Sequence, residues 1–85
     1  MTTKNEMGIN ILYFGMLAEI SGQANEIWTI NDGLSVGDLK KLILEKYPAM
    51  GEKKFKVAVN QQIADDQTFV STQSEVALLP PFAGG

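Results

Sequence analysis

From Ile9 to Phe14 the chain reads Ile-Asn-Ile-Leu-Tyr-Phe, a β-prone run that places Ile9, Ile11 and Tyr13 on one side and Asn10, Leu12 and Phe14 on the other. This predicts a first strand. Met16, Leu17 and Ile20 then recur at helical spacing before Ser21-Gly22, which predicts a short helix from Gly15 to Ser21 closed by a glycine. Asn25 to Ile30 is β-prone again and stops at the turn residues Asn31-Asp32-Gly33, so it should pair antiparallel with the first strand.

The next segment carries a helix-start signal. Ser35 can cap, Asp38 stands three positions on in place of the commoner Glu or Gln, and Leu34 with Leu39 fits a hydrophobic staple. Val36, Leu39, Leu42, Ile43 and Tyr47 mark one apolar stripe, and Pro48 forces an end, predicting a helix over roughly Val36 to Lys46. Beyond it, Phe55 to Asn60 alternates, Asn60-Gln61 reads as a turn, Gln61 to Ala64 as a short edge-like strand, and Glu75 to Leu79 as the last strand. Asp65-Asp66 opens a turn with no apolar period. The sum is an α+β domain in two layers: a mixed sheet of four to five strands with one long helix across it.

That arrangement leaves one sheet face uncovered. Ile11, Tyr13, Val57, Val59, Val76 and Leu78 can meet the helix, but Leu12, Phe14 and Leu79 alternate to the far side, where Ile63 would join them. An apolar patch on a face without a second helix is the mark of a protein interface.

Composition narrows the chemistry. At 85 residues, 45% hydrophobic and 20% charged, the chain supports one folded domain. It contains no cysteine and no histidine, which removes disulfides, thiolate and imidazole catalysis and most metal sites. The net charge of −3 and the short basic run Lys53-Lys54 with Lys56 give no footprint for a nucleic acid. No stretch approaches the roughly 20 apolar residues of a membrane span, so neither membrane nor nucleic acid is expected as a partner and the cytoplasm is the expected compartment. Residues 1–8 read as a disordered leader, 9–79 as the domain and 80–85 as an extended flexible tail. Asp65-Asp66 suits a turn better than a catalytic pair, and Trp28 suits sheet packing better than ligand stacking.

The tail is the chemically distinctive part. Pro80-Pro81 cannot donate to a sheet ladder and favours polyproline geometry; Phe82-Ala83-Gly84-Gly85 follow. Six extended residues at ~3.3 Å each reach roughly 20 Å, far enough to enter another protein's channel, and glycines pass a narrow one. The terminal carboxylate is a poor electrophile until adenylation by ATP makes it a mixed anhydride that a sulfur nucleophile can attack.

The ending Val76-Ala-Leu-Leu-Pro-Pro-Phe-Ala-Gly-Gly85, with Ala58-Val-Asn-Gln61 before it and Ile11-Leu-Tyr-Phe-Gly15 at the start, resembles the small, sulfur-carrying subunit of molybdopterin synthase. The resemblance spans about residues 9–85 and implies a ubiquitin-like β-grasp fold. It implies that an E1-like enzyme adenylates Gly85, that a sulfur donor converts it to a thiocarboxylate, and that the sulfur passes to cyclic pyranopterin monophosphate. Gly84 would allow threading, and Phe14, Ile63, Leu79, Pro80, Pro81, Phe82 and Ala83 would face partners. The family's large subunit would supply the catalytic side chains within a heterotetramer; no cofactor would be permanently bound, with ATP used by the activating enzyme. Leu78-Leu79 departs from the aromatics common there. Delivery of sulfur to thiamin or tRNA, action as a ubiquitin-like modifier, and a plain β-grasp interaction module are the competing expectations.

Overall fold

A computed structural model of the chain describes residues 8–30, 33–52 and 54–81. Along them run β1 (Gly8–Tyr13), α1 (Met16–Ser21), β2 (Asn25–Thr29), β3 (Leu34–Ser35), α2 (Val36–Lys46), a 3-10 turn (Pro48–Glu52), β4 (Lys56–Val59), β5 (Gln62–Ala64), β6 (Phe69–Val70) and β7 (Glu75–Leu79). The first strand takes in Gly8, one residue ahead of its predicted start. The proposed leader otherwise lies outside the described residues.

The main sheet has the order β2-β1-β7-β4-β5, and β3 with β6 forms a separate two-stranded ladder. β7 lies parallel to β1 and antiparallel to β4, while β1 with β2 and β4 with β5 are antiparallel pairs. The sheet is therefore mixed, and the last strand of the chain sits in its middle.

One face carries the core. Ile9, Ile11 and Tyr13 of β1, Val57 of β4, and Val76 and Leu78 of β7 are buried against Val36, Leu39 and Ile43 of α2, with Leu17 of α1 closing one end. Leu42, expected on the buried stripe, is instead 41% exposed, because the helix meets the sheet along the narrower line through Val36, Leu39 and Ile43. Two buried residues have no periodic signal in the sequence: Met50 in the 3-10 turn and Val70 in β6.

Local chemistry sets the element ends. The Ser35 hydroxyl accepts the Asp38 N–H at 3.1 Å, as the capping motif requires. The next orphan donors of α2 go to the loop before β6: Val36 N–H to the Thr68 carbonyl and Gly37 N–H to the Asp66 carbonyl, each at 2.9 Å. Gly22, at φ +81°, caps α1 in the left-handed conformation. Asn60 and Gln61 both have positive φ, 50° and 73°, forming the two-residue turn that fits the right-handed twist of β4 and β5.

Candidate functional site

Because β7 is central, whatever follows Leu79 leaves the domain from the middle of the sheet. Pro80 is half-buried and Pro81 exposed. Gly15, at φ +58°, makes room for the first proline: a Cβ there would stand 3.1 Å from Pro80 Cγ. The Phe14 N–H reaches the Leu78 carbonyl at 3.3 Å, extending the β1–β7 pairing to the edge of that contact. The root of the tail is thus seated on the Phe14-Gly15 corner. Phe82, Ala83, Gly84 and Gly85 lie outside the described residues.

The sheet face away from α2 surrounds this root. β1 and β7 align Leu12 with Ala77, β4 and β7 align Ala58 with Ala77 and Lys56 with Leu79, and β4 and β5 align Ala58 with Ile63. Leu12, Ala77, Ala58 and Ile63 therefore form one row across four strands. Phe14, Leu79 and Lys56 form the next, beside Pro80. Phe14 is 45% and Ile63 64% exposed, and Leu79 is half-buried. The alanines between them keep the surface low, so the larger side chains flank a shallow apolar strip.

The structure places the predicted Phe14, Ile63 and Leu79 on the sheet face away from α2, with Pro80 at its margin against Gly15 and Pro81 exposed beyond it. Leu12 was legible in the alternation of β1. Ala58, Ala77 and Lys56 were missed as members, since their inclusion depends on the β4–β7 register, which no short-range pattern encodes.

A second cluster, unpredicted, lies on the opposite face, where β2 meets the end of α2. Glu26 Oε1 accepts from the Tyr13 hydroxyl at 2.8 Å and the Tyr47 hydroxyl at 2.9 Å, and Glu26 Oε2 pairs with Lys46. The Lys46 ammonium also stands 5.6 Å from the Trp28 ring centre and 5.5 Å from that of Tyr47. Burial alone would push the Glu26 carboxyl up. The bonds from Lys46, Tyr13 and Tyr47 outweigh it, with help from the nearby Trp28 indole N–H, which makes no bond of good geometry, and hold the group at about 2. Burial first, then the bond to Glu26, pushes the Tyr13 hydroxyl well above its ordinary range, so it stays a donor. A fully engaged carboxylate and a locked phenol tie the helix to the sheet and offer no free acid or base.

Among the described residues no group of three metal-ligating side chains occurs, and no helix is long and apolar enough to cross a membrane.

A mixed five-stranded sheet crossed by one long helix, with the C-terminal strand at its centre, is the ubiquitin-like β-grasp fold. Residues 11–85 match the ThiS family, and the chain belongs to it. It is similar to the molybdopterin synthase sulfur carrier subunit of Mycobacterium tuberculosis, 35% identical over 80 residues that cover 91% of this chain and 96% of the relative. Among solved structures it resembles a chain of the protein–protein complex of subunit 1 and 2 of the molybdopterin-converting factor from Helicobacter pylori (TM-score 0.64, 26% identity, covering 93% of this chain and 100% of that chain). It also resembles small archaeal modifier protein 1 of H. volcanii (TM-score 0.76, 21% identity, covering 88% and 98%), a likeness of fold.

Proposed function

We propose that this chain is the sulfur carrier of a molybdopterin synthase, a co-substrate that is charged, spent and recharged in the cytoplasm. The observation that carries the reading is a central strand that borders an apolar face away from α2 and is followed directly in sequence by Pro-Pro-Phe-Ala-Gly-Gly, in a chain with no cysteine or histidine. The relatives' shared role as sulfur carrier subunits supports it.

In this reading the Gly85 carboxylate attacks the α-phosphorus of ATP on an E1-like enzyme, pyrophosphate leaves, and an acyl adenylate forms. Hydrosulfide released by a sulfur donor attacks the acyl carbon and expels AMP, leaving the thiocarboxylate. The face carrying Phe14, Leu79 and Ile63 then docks on a larger subunit, which receives the tail, and sulfur passes to cyclic pyranopterin monophosphate. The body contributes position: a carboxylate on a tethered tail beside its target reacts as if at high concentration.

The test is intact mass after incubation with ATP, the activating enzyme and a sulfur source. Replacement of one oxygen by sulfur, mapped to Gly85, is the expected result. An unchanged mass under conditions that charge an authentic carrier overturns the reading. A chain extended by one residue past Gly85 should fold normally and stay uncharged.

A further inference from the structure

Across β1, β7 and β4 the two rows beside the tail root are apolar except at one position, and Asn25 of β2 stands in register beyond Leu12. Lys56 opens β4, is exposed, and stands across from Leu79 on the same face, in the row that begins with Phe14. Among the other described lysines, Lys40 pairs with Asp66 at 2.8 Å and Lys46 with Glu26, both at the helix, while the exposed Lys41 on α2 and Lys54 ahead of β4 lie outside these two rows. Lys56 forms no ion pair among the described residues. The nearest carboxylate in register, Asp65, turns its Oδ1 to its own turn, accepting from Gln67 N–H at 3.0 Å and the Thr68 hydroxyl at 3.1 Å, and forms no ion pair with Lys56. Glu75, at the far end of β7 from Leu79, has its backbone tied to Asn60 and is four residues away along the strand.

We infer that the protein docking on this face presents a carboxylate to Lys56, so that the contact consists of an apolar strip closed by one intermolecular ion pair at the tail root. This rests on the docking proposed above and specifies its partner's chemistry. Covering Phe14, Leu79 and Ile63 removes water from around Lys56 as well. An ammonium desolvated without a counter-charge opposes binding, whereas one that meets a carboxylate fixes the register of the two surfaces. Its position beside Leu79 gives that register a purpose, because a lateral error at the root is carried along the whole tail.

The test measures binding of the full chain to its cognate large synthase subunit by calorimetry at low and high salt. Lys56→Gln should weaken binding about tenfold at low salt and Lys56→Glu by about a hundredfold, and both should flatten the salt dependence shown by the wild type. Phe14→Ala should weaken binding while keeping that salt dependence. Carbodiimide coupling of the complex should join Lys56 to an Asp or Glu of the subunit. Unchanged affinity and salt slope in Lys56→Gln, or coupling of Lys56 only to this chain's own Gly85, would overturn the inference while leaving the docking intact. Failure of the wild type to bind the subunit at all would overturn the docking reading itself.

Discussion

Gly15 shows how one residue joins the fold to the tail. Its φ of +58° is a region where a side chain costs about 1–2 kcal/mol, and a Cβ would press Pro80 from 3.1 Å. Gly15→Ala should therefore lower stability by about 1–2 kcal/mol in denaturant titration, and it should slow sulfur transfer beyond that loss, since the tail root must shift. Gln61 is the converse case, a non-glycine residue at φ +73° in the β4–β5 turn. Gln61→Gly should raise the unfolding free energy by about 0.5–1 kcal/mol with transfer unaffected. Glu26 sets an acid limit. Its folded-state value of about 2 lies below its ordinary 4.5, so its contribution is full above pH 4.5 and is lost as the pH falls toward 2. Glu26→Gln should cost about 1–2 kcal/mol at pH 7, after allowance for the solvent reaching Lys46, and the gap to the wild type should close across that acid window in urea titrations.

At the level of elements, the helix and most strands could be read directly: α2 spans the predicted Val36 to Lys46, and β7 the predicted Glu75 to Leu79. The alternation of β1 separated the core face from the face away from α2 correctly, because period-two patterning survives wherever one face is buried. What escaped was short or non-local. Leu34-Ser35 and Phe69-Val70 are each too brief to show a period, and they become strands only by pairing with one another across more than thirty residues. The Glu26 cluster likewise joins residues from β1, β2 and α2 that share no local motif. The β6 segment matters because its preceding loop supplies the Asp66 and Thr68 carbonyls that satisfy the start of α2. Ser35→Ala should cost about 1 kcal/mol by thermal or chemical unfolding, and the loss should be confined to stability, since the cap lies on the opposite layer from the tail root.

Across the whole molecule, the proposed function divides the work between surface and terminus: the face around Phe14, Leu79 and Ile63 would give affinity, and the terminal glycine reactivity. The face was legible from strand alternation, but its shape was not, because that depends on which strands lie side by side; the tail expected from composition lies, from Phe82 on, outside the described residues. Separability of the two roles has a sharp consequence. A chain lacking Gly84 and Gly85 should keep its unfolding curve and still bind the large subunit, yet carry no sulfur. It should then act as a competitive inhibitor of charged full-length carrier, raising the apparent KM without lowering the rate at saturation. Adding Ile63→Asp to the truncated chain places a charge at the β5 end of the strip and should weaken the inhibition about tenfold or more, as an unpaired charge covered by an apolar partner does. Inhibition that survives Ile63→Asp would mean that the partner grips the tail alone. Absence of inhibition by the truncated chain would mean that the folded body contributes no affinity without its last two residues.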